Sequence, residues 1–206
     1  MIKNTRRPKQ IDEFIDKHHK VSTEFYEFMD NDLSNGQVKR AMKKFIEEDP
    51  LYFEPYLVLI DLFLEEGNYL EAKKYLKTAF QKAIMKIVDK KGNWPKIMEW
   101  GWLENRHVIK IIERWGIELW EEGNTKEALN IFENLLKTNP RDNIGARYSI
   151  LAIKMNLNTS YELQFQSSLP GFIDAGEITK WFEENSRKFS DDFDWWWKEI
   201  EKVEYE

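Results

Sequence analysis

Two stretches of the sequence that share the tetrapeptide EEGN decide the fold: LFLEEGNYLEAKKYLKTAF at residues 62–80 and LWEEGNTKEALNIFENLL at residues 119–136. In each stretch a glycine follows a run of residues with helical periodicity. Gly67 and Gly123 favour the left-handed conformation that commonly ends a helix. Both stretches are therefore predicted to be turns between two helices.

The residues after each glycine predict the start of the second helix. Asn68 and Asn124 are suited to cap it, and a glutamate three residues further on completes a capping box in both copies. Each of these glutamates is followed by an alanine, Ala72 or Ala128. We expect the small side chain to let two helices approach closely at this position.

The spacing of small and large residues around both turns resembles the tetratricopeptide repeat (TPR), a helix pair of about 34 residues. The matching repeat positions hold Ala72, Leu76 and Ala79 in one copy and Ala128, Phe132 and Leu135 in the other. Gly36, nearly one repeat before Gly67, marks an earlier and degenerate unit. The resemblance implies an all-α, TPR-like α-solenoid of antiparallel helix pairs.

The distance between the two turns is too long for one repeat. Gly67 and Gly123 are 56 residues apart, which leaves about 22 extra residues. If two helices share the excess equally, each gains about three turns. We therefore predict one elongated helical hairpin with its tip near Gly92, and with Pro95 in the first turn of its second helix.

The predicted helices are 9–18, 22–33, 36–48, 53–66, 68–91, 95–122, 125–138 and 142–156. They give a TPR-like array over residues 1–158, with units near 22–52, 53–91 and 95–140 and a half unit at 142–156. Residues 159–206 are interpreted as a C-terminal helical cap of the same domain, with capping boxes at Thr159 and Asp174 and a loop through Pro170 and Gly171. A tryptophan-rich cap would cover the last apolar face of the array.

A second resemblance is more specific. The stretch W-G-x-L-E-x-R is formed by Trp100, Gly101, Leu103, Glu104 and Arg106, and D-N-x-G-x-R-Y by Asp142, Asn143, Gly145, Arg147 and Tyr148. The segment that holds both is similar to a group of small bacterial TPR proteins. That resemblance implies a repeat protein and no known reaction.

The composition excludes several classes of function. The chain has no cysteine, which rules out disulfides and thiolate metal sites. Its three histidines include no His-x-x-x-His pair, so we expect no metal and no other cofactor. The formal net charge is −6, and residues 177–206 hold ten acids against five bases, which argues against nucleic acid as a partner. No apolar run is long enough for a membrane span, so a soluble cytoplasmic protein is expected.

The TPR resemblance also implies where a partner would bind, because the first helix of each pair faces the concave side of the array. On that side we place six candidate partner-binding residues: Arg106, Lys110, Glu113, Trp120, Arg147 and Tyr148. The aromatic residues would serve as anchors and the arginines would bind a carboxylate. The alternative is structural: Arg147 pairs with Glu113, Trp120 fills the core, and Asn143 only starts a helix.

The favoured function is a non-catalytic scaffold that binds a protein or peptide, since the sequence has no phosphate-binding glycine loop and no nucleophile that we can place beside a base. Two alternatives stay open. The chain could be a hydrolase or transferase that uses Glu104 and Glu113 with Arg106. It could also assemble with itself, with the long hairpin or the tryptophan-rich C-terminus as a homodimer face.

Overall fold

The computed structural model describes residues 11–169 and 171–203, and within them the chain is all-α. The nine α-helices of this part are α1 Val21–Met29, α2 Asn35–Glu48, α3 Glu54–Glu65, α4 Tyr69–Ile87, α5 Leu103–Glu121, α6 Thr125–Thr138, α7 Ala146–Lys154, α8 Ala175–Ser186 and α9 Ser190–Val203. Two 3₁₀ helices, Thr159–Phe165 and Arg187–Phe189, lie on either side of α8 in the chain. None of the helices in the described ranges is both long and apolar enough to cross a membrane. The basic first ten residues and Pro170, part of the predicted loop, lie outside the described residues.

Two compact units divide the chain, Met1–Trp115 and Gly116–Glu206, and the boundary falls within α5. In the first unit, α1 packs on α2, α2 on α3 and α3 on α4, so helices that are adjacent in sequence are also adjacent in space. In the second unit, α6 packs on α7 and α7 on α8, and the second 3₁₀ helix contacts both α8 and α9. Each unit has its own core, with Phe53 fully buried in the first and Phe132 in the second.

Both EEGN turns end their helices as predicted. Gly67 and Gly123 have φ values of +72° and +80°, in the left-handed region. The Gly67 amide donates to Leu64 O at 3.0 Å, and the Gly123 amide donates to Trp120 O at 2.9 Å. The amide of the next residue donates to the carbonyl five residues back, at 2.8 Å in both turns. These two bonds form the Schellman motif, so the prediction of two equivalent helix ends is confirmed.

The second helices begin at the predicted places but are capped differently. The Asn68 side chain accepts the Glu71 amide at 3.4 Å, whereas Asn124 occupies the N-cap of α6 without a side-chain bond. Ala72 and Ala128 are 2% and 0% exposed. Their burial fits the expected close approach of helices at these two positions.

Gly36 does not repeat the turn at Gly67. It lies inside α2, two residues after the Ser34 N-cap, and its φ is not positive. Helix α2 therefore begins at Asn35, one residue before the glycine, and continues past it. The predicted helix 36–48 is confirmed within one residue, and Gly36 lacks the left-handed turn found at Gly67 and Gly123.

The extra residues between the two turns do not extend both helices by three turns. Helix α4 ends at Ile87 and α5 begins at Leu103, whereas the prediction placed helices at 68–91 and 95–122. Both helices have 19 residues and are the longest in the described part of the chain. The residues that were assigned to a helical tip instead form a non-helical segment at 88–102, which we call the α4–α5 loop.

The α4–α5 loop pairs with residues 11–19, which we call the strap, and this pairing explains why neither is helical. Phe14 N donates to Ile97 O at 2.8 Å, and Ile97 N donates to Asp12 O at 3.1 Å. The main-chain hydrogen bonds between the two segments replace those that each would form within a helix. The predicted helix 9–18 is therefore wrong over its described residues. Pro95 is buried inside the loop and does not start a helix.

The C-terminal caps match the prediction at one of two places. Asp174 caps α8, since its carboxylate accepts two amides of the first turn at 2.9 and 3.0 Å. The first 3₁₀ helix is capped by Asn158, which accepts the Ser160 amide at 3.0 Å, and not by Thr159. Among the three consecutive tryptophans of α9, Trp196 is 5% exposed and its indole N–H donates to Pro140 O at 2.8 Å.

The backbone conformations of Gly123 and Gly36 predict opposite effects on stability when each glycine is replaced by alanine. In Gly123→Ala the added methyl group meets no atom within 4 Å, so the cost is that of the backbone conformation, about 1 kcal/mol. Gly36→Ala is the matched control, because a helical glycine loses roughly 0.5 kcal/mol relative to alanine. Urea unfolding should show a loss for the first variant and a small gain for the second. A gain for Gly123→Ala would contradict the left-handed turn.

Candidate binding pocket

A pocket of about 510 Å³ opens in the first unit. Its lining comes from residues between 17 and 26, from Tyr52 and Glu54 before and at the start of α3, and from residues between 103 and 110 at the start of α5. The volume lies within the range of roughly 300–1,000 Å³ that is typical of ligand sites. This pocket is the candidate functional site of the first unit.

Asn105 holds the strap against α5 and so shapes one side of the pocket. Its fully buried carboxamide donates to Phe14 O and to Glu99 O, both at 3.0 Å. Its Oδ1 accepts the Asp16 amide at 2.9 Å. One side chain therefore ties the strap, the α4–α5 loop and α5 together.

The carboxylate of Asp16 lies buried beside the pocket at the centre of a group of polar side chains. Its Oδ2 is 2.6 Å from Lys86 Nζ, and 3.2 Å from Nε2 of both His19 and His107. These four residues, which we call the buried cluster, come from the strap, α4 and α5. The cluster joins three segments that are far apart in the sequence.

Lys86 has no hydrogen left for a ligand. Its ammonium contacts Asp16 Oδ2 at 2.6 Å, Leu51 O at 3.2 Å and His19 Nε2 at 3.2 Å, so three donors meet three acceptors. The Asp49 carboxylate, 2.7 Å from His19 Nδ1, holds a ring hydrogen on that nitrogen, so Nε2 of the neutral ring accepts from Lys86. The ammonium is therefore saturated within the cluster.

His107 has the opposite tautomer. Its Nδ1 accepts the Phe53 amide at 3.1 Å, so the neutral ring carries its hydrogen on Nε2. That nitrogen faces the Asp16 carboxylate, 3.2 Å from Oδ2. Burial, partly offset by Asp16, lowers the pKa of His107. The ring is therefore a neutral donor at pH 7.

The ligand atoms of Asp16, His19 and His107 lie within 4.8 Å of one another, which is a possible metal-binding set. Two features oppose that interpretation. The Lys86 ammonium already occupies the cation position beside the carboxylate. His107 could ligate through Nε2 only by moving its proton to Nδ1, where the Phe53 amide donates. The geometry favours an ion-pair network over a metal centre.

The pKa of Asp16 agrees with an ionised carboxylate at the centre of the buried cluster. Burial acts to raise the pKa of Asp16, but the contacts with His107, His19 and Lys86 outweigh it and hold the pKa well below the ordinary value of 3.8. The carboxylate is therefore charged at neutral pH and needs the Lys86 ammonium as its counter-charge.

Tyr52 lies beside the two histidine rings, with ring centroids 5.1 Å from His19 and 5.2 Å from His107. These three aromatic residues line the bottom of the pocket, and we call them the pocket floor. Tyr52 is 4% exposed, and its hydroxyl has no hydrogen-bond partner within the described ranges. Burial, and then the nearby Tyr26 hydroxyl, raise the pKa of Tyr52, so the hydroxyl keeps its hydrogen.

The rim of the pocket is apolar on two sides. Tyr26 of α1 and Leu103 of α5 are 57% and 67% exposed, and both line the pocket. Charges of both signs complete the rim, and Lys110 Nζ lies 3.9 Å from a Glu54 carboxylate oxygen. Exposed apolar groups beside a concave site commonly mark a binding surface.

Arg106, Lys110 and Glu113 are the predicted partner-binding residues that lie in the first unit. Arg106 and Lys110 line the pocket together, and Glu113 lies further along α5 outside its lining. Arg106 Nε donates to Trp100 O at 3.1 Å, and its guanidinium lies 5.3 Å from the centroid of the Trp100 ring. The tryptophan and the arginine of W-G-x-L-E-x-R thus brace the start of α5.

Trp120, in the second unit, is a core residue. It is 6% exposed and packs against Phe132 and Tyr161, with ring centroids 6.5 and 5.8 Å away. This placement agrees with the structural alternative, in which the indole fills the core.

Arg147 and Tyr148 also have partners within the second unit. Arg147 Nη1 donates to Asp142 Oδ2 at 2.9 Å, and the guanidinium lies 4.0, 5.2 and 5.6 Å from the ring centroids of Tyr148, Trp196 and Phe182. The arginine therefore connects α7 with α8 and α9. A role for Arg147 and Tyr148 in binding a partner stays a prediction.

Asp142, and not Asn143, starts α7. Its buried carboxylate accepts the amides of Ala146 at 2.7 Å and of Arg147 at 3.0 Å. Burial raises the pKa of Asp142 to about 6, because the loss of water outweighs the nearby Arg147 guanidinium and the two amides. The D-N-x-G-x-R-Y stretch is therefore a helix start combined with a buried ion pair.

Sequence reasoning missed the residues that build the pocket floor and the buried cluster. The predicted helices 9–18 and 68–91 contain Asp16 and Lys86, and His19 lies just after the first of them. His107 was considered only for a same-helix metal pair. The one local signal was the i, i+3 spacing of Asp16 and His19, which is too common to be specific.

Removal of the Asp16 charge should destabilise the first unit strongly. Asp16→Asn leaves the buried Lys86 ammonium without a counter-charge, which costs about 3–5 kcal/mol in urea unfolding at pH 7. The double variant with Lys86→Met should recover part of this loss. Lys44→Met, in the exposed Lys44–Glu48 pair, is the control and should change stability by less than about 0.5 kcal/mol.

The loss of stability in Asp16→Asn should also depend on pH. Because the folded-state pKa of Asp16 is lowered, its stabilisation is full above the ordinary value of 3.8 and disappears as the pH falls below it. The difference between the wild-type chain and Asp16→Asn should therefore shrink below pH 3.8. A loss under 1 kcal/mol at pH 7 would contradict the role of Asp16 as the hub.

The raised pKa of Asp142 can be measured directly. Its side-chain carboxyl carbon should titrate with a midpoint near 6 in the folded protein by NMR, and near 3.8 in urea. The stabilisation from this group is therefore full below pH 3.8 and is lost as the pH rises through about 6. A folded-state midpoint at or below 3.8 would mean that Arg147 outweighs burial.

Comparison with known proteins adds no assignment, since the chain matches no family model, no curated protein and no solved structure. The pocket geometry therefore carries the functional argument.

Proposed function

We propose that this chain is a non-catalytic cytoplasmic scaffold, built from TPR-like helix pairs, that binds a protein or peptide in the pocket of its first unit. The observation that carries the proposal is the pocket itself, with a preformed aromatic floor and two exposed apolar residues at its rim. The expected partner is a peptide segment that inserts one apolar or aromatic side chain.

The turns between helices support the proposal that the fold is built from helical repeats. The turns at Gly67 and Gly123 have the same left-handed glycine and the same two hydrogen bonds. A shared turn between two antiparallel helices is what a helical repeat requires. The segment that departs from the repeat, the α4–α5 loop, is also the segment that pairs with the strap and helps to position the pocket.

The shape and charge of the pocket favour a peptide over a charged metabolite. Its lining holds the cations Lys17, Arg106 and Lys110 and the acids Glu54 and Glu104, so the rim has little net charge. The floor consists of aromatic rings, on which an apolar side chain can pack. Tyr26 and Leu103 would then cover the inserted side chain and exclude water, as residues around interface anchors do.

The buried cluster argues against a catalytic role for the same pocket. A general base needs a lone pair or a proton that the substrate can reach. The Lys86 ammonium is saturated by three acceptors, and both polar ring atoms of His19 have partners inside the protein. Lys86 and His19, the members of the cluster named above, are therefore committed to stability.

The test is the selection of binding peptides and their dependence on the rim. Peptides that bind the purified full chain would be selected from a random 12-residue phage library and measured by fluorescence anisotropy. Tyr26→Ala with Leu103→Ala should weaken the best peptides by more than about tenfold, because truncation of interface anchors costs roughly 2 kcal/mol or more.

Tyr69 and Leu70 offer a matched control. They are also exposed, at 69% and 84%, in the same unit, but they lie at the start of α4 outside the pocket lining. Alanine at both positions should leave peptide affinity within twofold of wild type. Equal affinity for the rim variant and the wild-type chain, or a selection that yields no peptide, would overturn the proposal.

A further inference from the structure

The loop between the first 3₁₀ helix and α8 presents two large apolar side chains to solvent. Leu169 and Phe172 are 63% and 64% exposed. Both belong to one turn, which the Phe172 amide closes by donating to Leu169 O at 3.2 Å. We call these two residues the turn apex. Large apolar groups that are exposed together, rather than scattered singly, commonly mark a surface that a partner covers.

The turn apex is held in a defined shape by the residues beside it. The Ser167 amide donates to Phe172 O at 2.8 Å, and the Asp174 amide donates to Phe165 O at 2.7 Å. Phe165 is buried, and its ring packs against that of Trp181 with the centroids 5.4 Å apart. A side chain on such a preformed turn has less conformational freedom to lose when it binds.

The pocket of the first unit has the size and the rim that such a side chain requires. Its volume of about 510 Å³ has room for a phenyl ring, and Tyr26 and Leu103 are exposed beside the opening. The rim and the turn apex are both apolar surfaces in contact with water. Contact between them would remove both from water, which is the main favourable contribution to association.

The two units carry opposite net charges. Residues 1–115 hold 21 bases and 19 acids, whereas residues 116–206 hold 10 bases and 18 acids. A second unit is therefore attracted to the first unit of another copy and repelled by another second unit. This pattern favours a contact between unlike units of two copies over a contact between two second units.

The charges close to the two surfaces have the same opposite signs. Residues 155–179, which contain the turn apex, include three acids and no base. The pocket lining holds three cations against two acids, and one of the cations, Lys17, is exposed. The charges thus complement the apolar contact and do not oppose it.

We propose that the pocket of one copy binds the turn apex of a second copy, with Phe172 inserted beside Tyr26 and Leu103. This inference rests on the proposed function, because it names the protein segment that the same pocket receives. The two surfaces of the contact are different, so the copies associate head to tail. Each assembly then keeps one free pocket and one free apex unless it closes into a ring.

Analytical ultracentrifugation of the full chain tests the contact. The wild-type chain should form dimers and longer species between about 5 and 500 µM, the range expected for one inserted anchor. The apex variant, Leu169→Ser with Phe172→Ser, and the rim variant, Tyr26→Ala with Leu103→Ala, should each raise the dissociation constant more than about tenfold. Circular dichroism should show unchanged helicity in both, since the four side chains are exposed.

A mixture of the two variants identifies the head-to-tail arrangement. The rim variant keeps an intact apex, and the apex variant keeps an intact pocket. An equimolar mixture should therefore form 1:1 dimers, and no longer species, although neither variant associates alone. Tyr69→Ala with Leu70→Ala is the control and should associate as the wild-type chain does, because these exposed residues lie outside the pocket lining.

Three results would overturn the inference: a wild-type chain that stays monomeric over this range, an apex variant that associates as wild type does, or a mixture that forms no dimer. The selected peptides give a separate readout of the proposed function. Peptide affinity that depends on Tyr26 and Leu103 supports that function even where the chain is monomeric. Peptide affinity that ignores both residues overturns it.

Discussion

The buried carboxylate of Asp16 is the constraint on which the first unit depends. Its charge is balanced by the Lys86 ammonium at 2.6 Å and faces the Nε2–H of His107 at 3.2 Å, and its own amide is held by Asn105. An ion buried in protein is tolerated only when its partners surround it, so the positions of strap, α4 and α5 are fixed together. If the strap moved away, the buried Lys86 ammonium would lose its counter-charge.

The same constraint gives the pocket its chemical character. The Asp49 carboxylate holds the His19 hydrogen on Nδ1, so the other ring nitrogen accepts from Lys86. His107, which accepts from the Phe53 amide, carries its hydrogen on the side of Asp16. The two imidazole rings thus carry their hydrogens on different nitrogens because their neighbours differ. A floor of fixed tautomers favours recognition over proton transfer.

The local features of the fold were readable from the sequence, and the long-range ones were not. Gly67 and Gly123 could be assigned because a left-handed helix end depends on a few adjacent residues. The α4–α5 loop could not, because its non-helical form depends on bonds to the strap, far away in the chain. Asn105 occupies an unspecified position of W-G-x-L-E-x-R, and nothing local indicates that its carboxamide joins three segments.

The pairing of the strap with residues 86–107 has a consequence for the order of events during synthesis. Residues 11–19 emerge from the ribosome long before their partners are made, and α1 to α3 can fold from local contacts in the meantime. The strap must then be captured late, by a closure over a long stretch of chain, which is slow compared with helix formation. Because the lining of the pocket extends to Lys110, the pocket cannot be complete before that residue has been synthesised.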